Sequence, residues 1–105
     1  MKNRGTAYEK HCAAKMGMRG FCCVKIVGRS GDFGADIIAR GWFFQKIVVQ
    51  CKHYRRHVGV KAVQEVSAAR QYYKASRAAV ATNGTFTRQA KELARRCGVE
   101  LWEKF

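Results

Sequence analysis

Residues 31–52 read GDFGADIIARGWFFQKIVVQCK, and the register of this stretch decides the fold. Two aspartates, Asp32 and Asp36, stand in a glycine-punctuated turn. An apolar run, Ile37-Ile38-Ala39, follows, then a bend at Gly41 and a β-branched strand, Ile47-Val48-Val49, ending in Gln50-Cys51-Lys52. Successive strand side chains point to opposite faces, so Gln50 and Lys52 share one face and Cys51 takes the other. An amide and an amine closing a buried apolar strand need partners, because Gln and Lys are rarely interior without them. Asp36 is the candidate partner. In an antiparallel hairpin, facing residues share a side of the sheet and their numbers sum to a constant. A two-residue Gly41-Trp42 turn gives a sum of 83 and sets Asp36 opposite Ile47, out of reach of Gln50. A three-residue loop, Trp42-Phe43-Phe44, gives 86 and sets Asp36 opposite Gln50. No Asn-Gly or Asp-Gly signal for a two-residue turn is present, so the second register is expected.

The surrounding composition is that of one folded domain over residues 1–105, with 48% hydrophobic residues in alternating and helical patterns. No apolar run of transmembrane length and no charged-then-apolar leader is present, which reads as a soluble, unexported protein without a membrane partner. Lys and Arg number 21 against 7 Asp and Glu, a formal charge of +14 spread along the whole chain. Such a surface calls for a polyanion, most simply nucleic acid. The 5 cysteines, Cys12, Cys22, Cys23, Cys51 and Cys97, form no CxxC and lie mostly in apolar runs, where a free thiol acts as a small hydrophobe. That usage fits a reducing cytoplasm. A zinc site from His11, Cys12, His53 and His57 lacks the spacing of structural zinc modules.

Along the chain, Thr6-Ala7-Tyr8-Glu9 has the form of a capping box, predicting a helix that starts at Thr6 with Tyr8, Cys12 and Met16 as its buried stripe. Residues 21–27, FCCVKIV, read as a strand. Residues 60–75 read as a helix with Val63, Val66, Ala69 and Tyr73 on one face and Gln64, Ser67, Ala68 and Gln71 on a small or polar one. A short interior strand, AAVAT, ends at Thr82. A last helix follows, capped by Thr85 or Thr87, lined by Phe86, Ala90, Leu93, Ala94 and Cys97, and stopped by Gly98. Residues 99–102 close as a strand. The order α-β-β-β-α-β-α-β implies a mixed sheet flanked by helices.

The segments GDFGADII, VVQCKHY, VGVKAVQEV and AVATNGTFTRQAKELA closely resemble the Mrr-type catalytic domain, a branch of the PD-(D/E)xK restriction-endonuclease-like nucleases in which QxK replaces ExK. The resemblance covers residues 5–102 and implies an α/β fold with an αβββαβ core. It further implies a metal-dependent DNA endonuclease that hydrolyses phosphodiester bonds with Mg²⁺, or Mn²⁺ in its place. Asp36 then matches the metal-binding aspartate, Gln50 the second motif residue, Lys52 the catalytic lysine, and Glu9 a glutamate on the first helix. The metal ligands implied are Asp36, the backbone carbonyl of Cys51, Gln50 and Glu9. These types suit the chemistry, because Mg²⁺ prefers oxygen ligands and keeps several waters. With Gln50 in place of an acid, the ion is held by one negative charge fewer.

DNA contacts are expected from Arg55, Arg56, His57, Lys61, Asn83 and Arg88, and double-strand cleavage would take a homodimer with two sites. The setting implied is a bacterial, archaeal or phage-type cytoplasm. Blander roles exist for several of these residues. The capping box alone accounts for Glu9, turn chemistry for Asp32, helix capping for Asn83, and a solvated basic loop for residues 55–57. Gln64, on the polar helix face, is a candidate supporting residue, whereas Glu65 reads as surface. Rival readings are a structure-selective nuclease of the Holliday-junction type and a catalytically inactive DNA-binding module.

Overall fold

A computed structural model describes residues 4–27 and 33–105, without the side chains of residues 4–6. The expected turn role of Asp32 lies outside the described residues. Helix α1 (Arg4–Met18) leads into strand β1 (Cys22–Ile26), and β2 (Ile37–Arg40) and β3 (Lys46–Lys52) form the hairpin. Helix α2 (Val60–Tyr73), β4 (Arg77–Thr82), α3 (Arg88–Cys97) and β5 (Glu100–Trp102) complete the order read from the sequence. The sheet runs β1-β2-β3-β4-β5 in space. Its first three strands are antiparallel, and β3, β4 and β5 run parallel.

The hairpin register is the expected one. Ile37 faces Val49, Ile38 faces Val48, Ala39 faces Ile47 and Arg40 faces Lys46. Trp42–Phe44 form a single tight helical turn at the tip, closed by the Gly41 N–H donating to the Gln45 carbonyl at 2.8 Å. Phe43 and Phe44 both take the left-handed conformation, with φ of 54° and 61°. For residues with a Cβ that conformation costs roughly 1–2 kcal/mol each. The same three aromatics are exposed, Phe43 to 93%. They are therefore not core.

Both faces of β3 are buried. On one face, Ile37, Ala39, Ile47, Val49, Ala79 and Ala81 pack under Tyr8, Cys12 and Met16, the expected stripe of α1. On the other, Val48, Ala78 and Val80 pack under Ala62, Val63, Val66 and Ala69 of α2 and Ala90 and Ala94 of α3. Thr87 caps α3, its hydroxyl accepting from the Ala90 N–H at 3.0 Å, and Gly98 ends the helix at φ 71°.

Three expectations are corrected here. Helix α1 starts by Arg4, so Thr6 lies inside it and cannot be the N-cap of a T-x-x-E capping box. Cys22 and Cys23 are exposed rather than apolar filler. They lie on β1, an edge strand whose register against β2 slips between Cys22 and Lys25, with Cys23 at φ 55°. A bulge of this kind turns an edge out of regular pairing. Helix α2 ends at Tyr73, before residue 75, because Lys74 turns left-handed and its N–H returns to the carbonyls of Arg70 and Gln71.

Candidate active site

The site lies where β3 ends. Parallel pairing sets Gln50, Cys51 and Lys52 beside Val80, Ala81 and Thr82. The antiparallel register ends with Ile37 facing Val49, which leaves Asp36, one residue before β2, beside the Gln50–Lys52 end of β3. Asp36 is fixed to β3 twice, its N–H donating to the Val49 carbonyl at 2.8 Å and its carboxylate Oδ2 accepting the Cys51 N–H at 2.8 Å. One carboxylate is thus tied to the backbone of the QxK segment.

Asp36 does not titrate as an ordinary aspartate. Burial raises its pKa above the usual value. The Cys51 N–H, the charge of Lys52 and a hydrogen bond with Glu9 act the other way, and the Glu65 carboxylate adds to the rise. Glu9, in the second turn of α1, thus reaches Asp36 and does not serve as the capping glutamate that the sequence allowed. The Cys51 thiol turns to the α1 face and hydrogen-bonds with Cys12, which raises the one thiol and lowers the other.

Gln50 is 6% exposed. Its Nε2 donates to the Gly34 carbonyl at 3.2 Å and to Glu65 Oε1 at 3.1 Å, and its Oε1 is buried without a protein partner. Lys52 Nζ lies 4.0 Å from Glu65 Oε1 and 5.6 Å from the centre of the Tyr54 ring. The direct partner of the strand-end amide and amine is thus Glu65, with Asp36 bound beside them through the Cys51 amide. Gln64, the supporting residue suggested by the sequence, is exposed on the outer side of α2. Gly34 holds the loop against α2. With φ 77°, a Cβ placed there would lie 2.4 Å from the Glu65 carbonyl oxygen.

Among the described residues, no group of three or more His, Cys, Asp or Glu forms a ready metal cluster. The donor chemistry nevertheless suits a hard divalent ion. Two half-buried carboxyls, Asp36 and Glu9, meet there, and an orphaned amide oxygen stands on the same strand end. Such an ion takes oxygen donors, needs few of them from the protein, and fills the rest of its shell with water and phosphate.

Beyond Lys52 the loops after β3 and β4 are laced together. The Tyr54 N–H donates to Asn83 Oδ1 at 2.9 Å, Val58 bridges Phe86, and the His57 ring meets the Thr85 hydroxyl. His53, Tyr54, Arg55, Arg56 and Asn83 line one open cavity of about 470 Å³. Lys61 is exposed at the start of α2. Arg88 lines a different cavity with Gln89, Glu92, Leu93 and Arg96, so it does not join the Arg55, Arg56 and Asn83 group.

An acid, an amide and a lysine gathered at one strand end of a mixed, helix-flanked sheet define a restriction-endonuclease-like fold. A family profile described as restriction endonuclease (Mrr_cat) matches residues 1–104. The chain belongs to that family. No curated protein matches the sequence. Among solved structures, the DNA modification-dependent restriction endonuclease AspBHI superimposes with a TM-score of 0.76 at 17% identity, over 97% of this chain and 29% of its own. A repair endonuclease from Pyrococcus abyssi gives 0.66 at 18% identity, over 98% of this chain and 48% of its own. EndoMS in complex with double-stranded DNA gives 0.66 at 20% identity, over 98% and 46%. At these identities the likeness shows the shared fold, and the chain spans half or less of each of these proteins. No helix among the described residues is long and apolar enough to cross a membrane.

Proposed function

We propose that residues 1–105 form one Mrr-like, metal-dependent endodeoxyribonuclease domain that hydrolyses phosphodiester bonds in DNA, using Mg²⁺ or Mn²⁺. The observation that carries this reading is the strand end itself. Asp36 accepts the Cys51 N–H there and hydrogen-bonds with Glu9, Gln50 presents an unpartnered oxygen, and Lys52 stands alongside. Asp36, Glu9, Gln50 and the Cys51 carbonyl are the groups that would hold the ion. When bound, such an ion neutralises charge building on the phosphoryl oxygens and lowers the pKa of a bound water.

The chain's own residues supply the rest. Lys52 orients the attacking water or takes its proton, and offers positive charge to the transition state. The Cys51 N–H keeps the Asp36 carboxylate aimed. Arg55 and Arg56, exposed on the loop next to Lys52, are placed to bind the DNA backbone, with His57, Lys61, Asn83 and Arg88 as further contacts. A net charge of +14 and a fold neighbour solved on double-stranded DNA support duplex DNA as substrate. A single site cuts one strand, so double-strand breaks require a homodimer.

The test is incubation of the purified protein with supercoiled plasmid and Mg²⁺ or Mn²⁺, with EDTA and Lys52→Ala as controls. Nicked or linear DNA that needs the metal and Lys52 is expected, while Lys52→Ala keeps most of the DNA affinity. Cleavage by Lys52→Ala at the wild-type rate would remove that residue from the mechanism. A four-way junction competed against linear duplex separates a structure-selective enzyme from a duplex cutter.

A further inference from the structure

Position 50 is neutral in this chain, yet the space around it is not. We infer that Glu65 of α2 returns the missing negative charge to the QxK site and acts as a positioning residue for Gln50 and Lys52. The inference rests on the nuclease reading above. The amide of Gln50 has two orientations, and its neighbours choose one. Its Nε2 lies 3.2 Å from the Gly34 carbonyl and 3.1 Å from Glu65 Oε1, both acceptors. Turning the amide over would set an oxygen against those two oxygens, so the –NH₂ end is held inward to them. The buried Oε1 is then the end left over for a ligand, an arrangement that no protein group satisfies.

The same Glu65 oxygen lies 4.0 Å from Lys52 Nζ. A single carboxylate therefore orients the amide and restrains the amine. It approaches from the helix, whereas an acid at position 50 would approach from the strand. Glu65 is itself pinned, because its backbone carbonyl packs against Gly34 where only a glycine fits. Loop, strand and helix are locked in one arrangement at the residue pair 50 and 65. An exchange of the two side-chain types should then preserve the site, while loss of the acid alone should not.

The experiment titrates Mn²⁺ calorimetrically into DNA-free protein and measures plasmid cleavage across Mn²⁺ concentrations. It compares wild type, Asp36→Asn, Glu65→Gln and the exchange Gln50→Glu/Glu65→Gln. Loss of a partner that orients a metal ligand costs about 10–100-fold in metal affinity. Glu65→Gln is expected to weaken Mn²⁺ binding by that factor and to raise the Mn²⁺ needed for half-maximal cleavage in step, with the melting temperature held. The exchange is expected to bring both back to within about threefold of wild type, the residue pair acting as one unit. Wild-type binding and cleavage by Glu65→Gln, with Asp36→Asn impaired, would overturn the inference alone, as would an exchange no better than Glu65→Gln. A wild-type protein that neither binds Mn²⁺ nor cuts would overturn the nuclease reading and this inference with it. Should Glu65→Gln lose its fold, Glu65→Asp, which draws the charge back by one methylene, is read in the same way: weakened Mn²⁺ binding supports the inference and wild-type binding overturns it.

Discussion

Gly34→Ala is the substitution that most directly tests how Asp36 is held. Two costs add. The residue sits at φ 77°, where a Cβ costs roughly 1–2 kcal/mol that glycine does not incur. The new methyl would also lie 2.4 Å from the Glu65 carbonyl oxygen and 3.0 Å from its carbon, where about 3.5 Å is an ordinary separation. Both atoms are helix backbone, so relief takes a shift of α2 or of the loop by about 1 Å, and such overpacking costs typically 1–3 kcal/mol. The expected loss is about 2–5 kcal/mol, or roughly 10–25 °C in melting temperature for a domain of this size. A displacement near 1 Å at the carboxylate of Asp36 or Glu65 should also slow cleavage by about a hundredfold. The assays are thermal unfolding by circular dichroism and plasmid cleavage under saturating metal. Gly17→Ala is the control. Gly17 is inside α1 with nothing within 4 Å of its added Cβ, so the change should stabilise by about 0.5–1 kcal/mol. A Gly34→Ala protein that melts and cuts like wild type would refute the idea that this loop is latched to α2.

The pH response of Asp36 has a definite sign. Its pKa is raised in the fold, so the folded state binds the proton more tightly than the unfolded chain does. Stability is then lost as pH rises from the ordinary carboxylate value through the raised one, and the penalty persists above it. Metal-free Asp36→Asn should therefore unfold at higher urea than wild type at pH 7, with the gap closing toward pH 4. An unchanged gap across that range would show that the proton is not involved. DNA binding should weaken with salt, with a log–log slope near −0.9 per neutralised phosphate. Arg55→Ala/Arg56→Ala should flatten it by nearly two such units. A salt-independent wild-type affinity in filter binding would assign the basic surface to another purpose.

Much of the site was readable because strand geometry is countable. The absence of a two-residue turn signal was enough to set the hairpin register, and with it the nearness of Asp36 to the QxK end of β3. What escaped was Glu65. At about 100° per residue, Glu65 falls about a quarter turn from the centre of the stripe formed by Val63, Val66 and Ala69, and Gln64 falls nearly opposite it. A helix flank is where a side chain can reach past the buried stripe to the strand end. Grouping Gln64 with the small residues obscured that angle. The thiols of Cys22 and Cys23 escaped for another reason: an apolar run looks the same on an edge strand as on a central one, and exposure depends on what lies beside it. The start of α1 was misplaced because a capping-box pattern is local, and helix that continues past it overrides the signal.

The turn at Trp42–Phe44 works as a ruler for chemistry at the other end of the hairpin. Its aromatic side chains reach solvent, so their identity is loosely constrained, but their number is not. Removing one residue from the tip would slide β2 along β3 by a single step. Asp36 would then swing to the opposite side of the sheet while every strand still found a partner. Such a protein would keep a sheet of five strands and lose its alignment of acid with amide. Insertions and deletions at this tip should therefore be as damaging to activity as substitutions in the candidate site, although the tip lies at the far end of the hairpin from it.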